Sequence, residues 1–373
     1  MSSFYIHIPF CKQACHYCDF HFSTSMKKKD EMIEALAREI EMRKNEVEDT
    51  VETIYFGGGT PSVLSVSEIN FLIDQVYKHY KVVENPEITL EANPDDLTSE
   101  KILELSETKI NRLSIGIQSF FEDDLKMMNR AHNAEQAKQS LEEAKKYFDN
   151  ITLDLIYGIP NMSEEKWIQN IEMALSFGIP HISSYALTVE AKTALKKLIE
   201  KGEIAKPKDE VAEKHFFLLV EKLKENGFEH YELSNFGKEG YFSKNNTSYW
   251  LGKKYIGIGP SAHSYNGTHR SWNIANNSIY IKDIQSGKLP SEIEELTLSD
   301  RYNEYIMTGL RTIWGVSLER IITEFGQEYY DYLIKNSEKL LSTGLLESDG
   351  QTLKVSQKGK FLSDGIASDL FWV

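Results

Sequence analysis

The chain has 373 residues, 41% hydrophobic and 11% aromatic, enough to bury the core of one large α/β domain and a smaller companion. A formal net charge of −15 repels phosphate backbones, so no nucleic acid is expected as a partner. No apolar run approaches the ~20 residues of a membrane span, and no basic stretch followed by an apolar one marks a secretory signal.

Phe4–Ile8 reads as a strand, and it runs into Cys11, Cys15 and Cys18, the only three cysteines of the chain. An odd count in one loop is a poor disulfide framework. Three free thiols also point to a reducing, cytoplasmic compartment. They are one thiolate short of a closed four-coordinate site. An iron–sulfur cluster with one iron open to an amine and a carboxylate is one reading. A structural zinc completed by His7, His16 or Asp19 is the other.

The basic run Lys27-Lys28-Lys29 opens a helical pattern and reads as a solvated helix end, leaving membrane contact at most peripheral. A helix follows over Ile33–Asn45, then a strand over Val51–Phe56 closed by Gly57-Gly58-Gly59. Ser65-Val66-Ser67-Glu68 is a capping box that starts the next helix. Further strands are expected at Ile88–Glu91, Leu113–Ile117, Ile151–Ile156 and Ile182–Tyr185. Helical patterns at about 66–80, 99–107, 134–147 and 164–177 separate them. Six βα units predict a parallel sheet that falls short of a full barrel, with ligands at the carboxyl ends of its strands.

Past residue 190 the pattern changes to charged helices, notably Asp209–Gly227, then a Gly/Asn-rich stretch and a linker near 285–296. Residues 297–373 read as three helices and a hairpin turning at Asp349-Gly350, a winged-helix-like pattern. That segment carries 11 acidic and 8 basic side chains, which favours a packing or lid role over DNA binding. The expected fold is therefore α/β. It comprises a partial (β/α)6 parallel barrel over 1–190, a barrel extension over 191–290, and a winged-helix-like α+β domain over 297–373.

The polar residues collect at predicted strand ends. Gly57-Gly58-Gly59-Thr60-Pro61 would let backbone groups approach a ligand with no Cβ in the way. Glu91 ends the third strand, Gln118 follows the fourth, and Asp154 interrupts the apolar run of the fifth. A carboxylate there is costly unless it is paired or faces a polar cavity.

Several stretches carry a resemblance. They are Tyr5-Ile6-His7-Ile8-Pro9-Phe10-Cys11, Cys15-His16-Tyr17-Cys18-Asp19-Phe20, Tyr55-Phe56-Gly57-Gly58-Gly59-Thr60-Pro61-Ser62 and Ser114-Ile115-Gly116-Ile117-Gln118-Ser119-Phe120. Asn129-Arg130-Ala131-His132, Asp154-Leu155-Ile156-Tyr157-Gly158-Ile159-Pro160 and Gly257-Ile258-Gly259-Pro260-Ser261-Ala262-His263 complete the set. In this order they resemble the radical S-adenosylmethionine (SAM) superfamily. Within it the match is to the oxygen-independent coproporphyrinogen III oxidase family and its heme-chaperone branch.

The resemblance sets the cluster above zinc. It implies that Cys11, Cys15 and Cys18 hold a [4Fe-4S] cluster. It further implies that Tyr5, Gly58, Gly59, Thr60, Glu91, Gln118, Arg130, Asp154 and Ala186 surround SAM, which an external electron donor would help to cleave. No catalytic residue is assigned. The oxidase branch resembles CxxxCxxCxC, whereas Phe20 occupies the last position here, as in the chaperone branch. The chain also opens without the N-terminal extension of the oxidases, which again favours the chaperone.

The expected function is thus a chaperone that binds heme and passes it to an acceptor hemoprotein. Alternatives are a coproporphyrinogen III dehydrogenase or a radical SAM enzyme on another substrate. The chaperone branch resembles His-Asn-x-x-Tyr-Trp, but this chain has Asn245-Asn246-Thr247-Ser248-Tyr249-Trp250. An amide is a poor iron ligand, so the heme site stays unassigned, with His230, His263 and Tyr249 as candidates.

Overall fold

The computed structural model describes residues 2–46 and 49–373. Six strands, β1 (Ser2–Ile8), β2 (Val51–Gly58), β3 (Val82–Ala92), β4 (Arg112–Gln118), β5 (Ile151–Tyr157) and β6 (His181–Ala186), pair in chain order and in parallel. Helices Lys29–Met42, Val66–His79, Ser99–Ser106, Ala134–Ala144 and Glu164–Ser176 lie between them. The strands are apolar almost throughout because both faces of the sheet are covered. β4 is buried along its whole length, and β5 is interrupted only at Asp154.

Local chemistry sets the helix starts. Ser65 accepts from the backbone N–H of Glu68, while the Glu68 carboxylate accepts from that of Ser65, so the capping box forms in both directions. Ile69, Leu72, Ile73 and Val76 then bury one stripe of that helix at helical spacing.

After β6 the chain adds β7 (Glu229–Glu232), β8 (Asn235–Gly237), β9 (Tyr255–Ile258), β10 (His263–Tyr265), β11 (His269–Asn273) and β12 (Ser291–Glu295) to the same sheet. β9 pairs in parallel with β1, from Ser3 opposite Tyr255 to Ile6 opposite Ile258, so a seventh parallel strand flanks the six foreseen. β12 corrects the linker expected near 285–296. It is an antiparallel edge strand on β11, its five residues all exposed. Its Ser-Glu-Ile-Glu-Glu composition reads as loop because an edge strand facing water protects itself with charge.

A buried network fastens this addition to the first helix. Arg43 Nη1 donates to Gly257 O at 2.7 Å, and Glu39 accepts from Gly259 N at 2.8 Å, from Asn273 at 2.7 Å and from Tyr280 Oη at 2.5 Å. The first apolar core accordingly runs from Phe4 to Ile284.

A second core, from Tyr302 to Leu370, belongs to the C-terminal unit. It contains helices Leu298–Leu310 and Gln327–Ser342 and a three-stranded sheet in the order β13 (Val316–Ser317), β15 (Thr352–Val355), β14 (Leu346–Ser348). The order helix, strand, helices, hairpin is a winged-helix pattern. The hairpin turns at Asp349-Gly350, where Gly350 has φ +86°, a conformation suited to glycine. No helix among the described residues is long and apolar enough to cross a membrane.

Candidate functional site

The cysteine loop is closed at its base. Ser23 N donates to Pro9 O at 2.9 Å, and Cys11 N donates to Ser23 O at 3.1 Å, so residues 10–22 project as one unit from the end of β1. Cys11 is buried, and Cys15 and Cys18 are half-exposed. Burial pushes the Cys11 thiol up to about 12 and the Cys18 thiol to about 11.

Arg130 ties this loop to the barrel. Its Nη1 lies 3.3 Å from Cys15 Sγ and 3.4 Å from Tyr17 Oη, and its Nη2 donates to Asn93 Oδ1 at 2.7 Å and Gly116 O at 2.8 Å. The Arg130 Nε is buried without a partner, so the guanidinium retains an unused donor beside the thiols.

The glycines after β2 are explained first by packing. A Cβ on Gly59 would meet Phe10 O at 2.6 Å and Ile8 O at 2.8 Å, and one on Gly58, whose φ is +106°, would meet the His7 ring at 2.5 Å. This close approach lets Gly59 N donate to Ile8 O at 2.9 Å and Thr60 N to Phe10 O at 2.7 Å. The turn is thereby pinned against the cysteine loop, and Thr60 Oγ1 sits 3.4 Å from Cys11 Sγ.

Two adjoining cavities open at the strand ends. One of about 170 Å³ is lined by the three cysteines, Gly58, Gly59, Thr60, Glu91, Gln118, Arg130 and Asp154. The other, of about 400 Å³, shares Cys18, Glu91, Asp154 and Tyr185 and adds Arg112, Ser183, Ala186 and Asn246. Every residue expected around SAM therefore lines one of them, except Tyr5. Tyr5 packs behind Gly57 instead, with its Oη 3.3 Å from His7 Nδ1.

Two carboxyls share this wall. Burial pushes Glu91 up to about 7, opposed by the Tyr55 hydroxyl donating at 2.8 Å. Burial also pushes Asp154 to about 7, opposed by Arg112, Arg130 and the hydroxyls of Ser183 and Ser114. Gln118 has φ +68°, an uncommon conformation for a side-chain-bearing residue, and accepts from Tyr185 Oη at 3.2 Å.

Sequence reasoning passed over Tyr17, Asn93, Arg112 and Tyr185, although Asn93 lies only two residues beyond Glu91. The heme candidates are dispersed. Asn245 is buried, accepts from Thr53 Oγ1 at 2.9 Å and donates its backbone N–H to Glu87 at 3.1 Å, away from both strand-end cavities. His230 stacks on Phe236 at 4.2 Å and its Nδ1 faces Lys360 Nζ at 2.9 Å, whereas His263 is exposed beside Trp272.

A parallel barrel with three clustered thiols at its mouth, and a polar cavity beyond them, defines a radical SAM protein. Residues 5–185 match the Radical SAM superfamily and residues 296–362 the HemN C-terminal domain. The superfamily implies a [4Fe-4S] cluster and SAM. The residues present suit both, offering soft thiols from one loop and an arginine with a free donor.

The chain is 34% identical to "Heme chaperone HemW" of Bacillus subtilis over 371 residues, 98% of each chain. It is 34% identical to "Heme chaperone HemW" of Lactococcus lactis over 98% of this chain and 96% of that one. "Radical S-adenosyl methionine domain-containing protein 1, mitochondrial" of Danio rerio is 30% identical over 98% of this chain and 86% of its own. The chain belongs to the HemW family. Its fold matches that of coproporphyrinogen III oxidase (HemN) from Escherichia coli, with TM-score 0.86 and 21% identity over 99% of this chain and 89% of that one.

Proposed function

We propose that this protein is a cytoplasmic heme chaperone of the radical SAM superfamily, which takes up heme and passes it to an acceptor hemoprotein. The observation that carries this reading is the end-to-end alignment, at 34% identity over 98% of each chain, with a protein named for that activity. In this reading Cys11, Cys15 and Cys18 hold the cluster. When bound, the cluster supplies one electron, received from an external donor, for cleavage of the SAM sulfonium.

The chain's own residues would orient SAM. The Arg130 guanidinium sits where it can offset a carboxylate. Glu91, Asp154 and Gln118 offer acceptors for an amine and for ribose hydroxyls, and Gly58, Gly59 and Thr60 hold the loop in register beneath them. Ala186 leaves room at the end of β6 for a flat base. Tyr5 supports Gly57 from behind.

Coproporphyrinogen III dehydrogenase is the second reading, favoured by the shared HemN fold alone. Phe20, 68% exposed at the lip of both cavities, stands where the oxidase branch resembles a cysteine. The space of about 400 Å³ and about 170 Å³ at the strand ends suits one cofactor-sized ligand rather than SAM and a tetrapyrrole together.

The test is anaerobic reconstitution with iron and sulfide, electron paramagnetic resonance with and without SAM, then heme addition followed optically. The expected result is a cluster signal that SAM perturbs and a heme spectrum distinct from free heme. A single bound zinc with no response to SAM overturns the cluster assignment. Turnover of coproporphyrinogen III to protoporphyrinogen replaces the chaperone with the oxidase.

A further inference from the structure

Away from the strand ends the protein holds a larger cavity of about 700 Å³, within the range of about 300–1,000 Å³ typical of cofactor sites. It lies where the β9–β11 side of the sheet meets the C-terminal unit. One wall is Tyr249, Tyr255 and Tyr265, with successive ring centroids 4.7 and 6.1 Å apart. The other comes from the C-terminal unit, where Tyr305 and Phe325 stack at 6.1 Å and the Arg320 guanidinium lies 4.2 Å over Tyr305. Two aromatic walls suit a flat, largely apolar ring system.

The charged lining is nearly balanced, and most of it is engaged. Lys253 holds Glu52 at 2.9 Å, Arg270 holds Glu304 at 2.5 Å, and Arg320 holds Glu324 at 2.8 Å. Asp300 accepts from Thr297 N at 2.9 Å in a helix cap, and Glu294 stands on the exposed edge strand. Arg301 differs. Its Nε is buried with no hydrogen-bond partner, and no salt bridge reaches it among the described residues. Its terminal Nη groups likewise have no partner among the described residues, and a carboxylate arriving at them gains a charge-assisted hydrogen bond that the free protein lacks.

We propose that a tetrapyrrole binds in this seam, its ring between the two aromatic walls and one propionate on Arg301. This location rests on the heme-chaperone reading given above. No histidine or cysteine lines the cavity, and Tyr249, the one candidate iron ligand in its wall, is a phenol rather than an imidazole, so the macrocycle and its carboxylate supply the affinity and metal-free porphyrin binds as well.

The full-length protein and its Arg301→Gln and Arg301→Lys variants are titrated by fluorescence with protoporphyrin IX and with its dimethyl ester. Circular dichroism verifies the fold of each variant. Loss of one charge-assisted hydrogen bond weakens binding of the diacid about tenfold in R301Q. R301K recovers part of that loss, and the ester binds wild type and R301Q alike. Equal affinity of wild type and R301Q for the diacid overturns the location while leaving the chaperone reading intact. Wild type that binds neither heme nor porphyrin overturns both.

Discussion

The barrel mouth and the domain seam are both cavities in one chain, but their walls store different things. At the mouth, two carboxyls and two guanidiniums are recessed together, and burial drives both acids toward about 7. In the seam, cations are mostly paired and the walls are tyrosine and phenylalanine. A polar recess holding unspent donors and acceptors is costly until a polar ligand fills it. An aromatic slot costs little when empty and selects by shape. The first therefore suits a zwitterionic cofactor and the second a flat, apolar cargo, and the two can fail independently.

The sharpest break is Cys11→Ser. Thiolate replaced by alcohol at the buried corner removes a soft ligand, so cluster content after reconstitution is expected to fall to background, while porphyrin affinity is unchanged. Iron, sulfide and fluorescence assays read both sides of the comparison. Retained cluster with lost porphyrin would invert it.

Ile306→Ala should do the reverse. Ile306 is fully buried in the C-terminal core, and its truncation is expected to cost about 2–5 kcal/mol there. Porphyrin binding should weaken in that variant with cluster content preserved, as calorimetry and titration would register. Arg130→Met should lower SAM affinity about ten- to a hundredfold, measured by the resonance change on SAM addition, through loss of one charged partner. Porphyrin binding is again the control.

The smallest effect is a pH dependence at Glu91. Its folded value lies near 7 against an ordinary 4.5, so between these the native state keeps a proton that the unfolded chain releases. Glu91 thus removes stability as pH rises through that window. Glu91→Gln should raise the melting temperature of the cofactor-free protein at pH 8, by on the order of 1–3 kcal/mol of stability, and leave it unchanged at pH 4. A stabilisation equal at both values would show that charge burial is not its source.

Much of the mouth was legible before the fold was known, because buried parallel strands are so uniformly apolar that one polar residue stands out. Asp154 within Leu-Asp-Leu-Ile and Glu91 at the end of Ile-Thr-Leu-Glu are such exceptions. The glycine turn was recognisable too, although its tightest contacts prove to be with Ile8, Phe10 and His7 of the cysteine loop and its strand. Arg112 was missed because a basic residue opening a strand looks like a loop end, yet it is 2% exposed and lines the cavity.

The seam was invisible. Its tyrosines and arginines are scattered from 249 to 320, and only the docking of β9–β11 against the C-terminal helices brings them together. β9 itself is four residues long and its register is set by β1, far away in the sequence, so no local pattern announces it.

That pairing has a consequence for how the protein is made. Strand β1, made long before β9, lies inside the finished sheet, between β2 and a partner that ends at Ile258. Until β9 has been made, one whole flank of the strand carrying the cysteine loop lacks that neighbour, and such distant pairings form slowly. Iron and sulfide are thus best delivered to a completed polypeptide, and a chain truncated before Tyr255 should be a poor recipient.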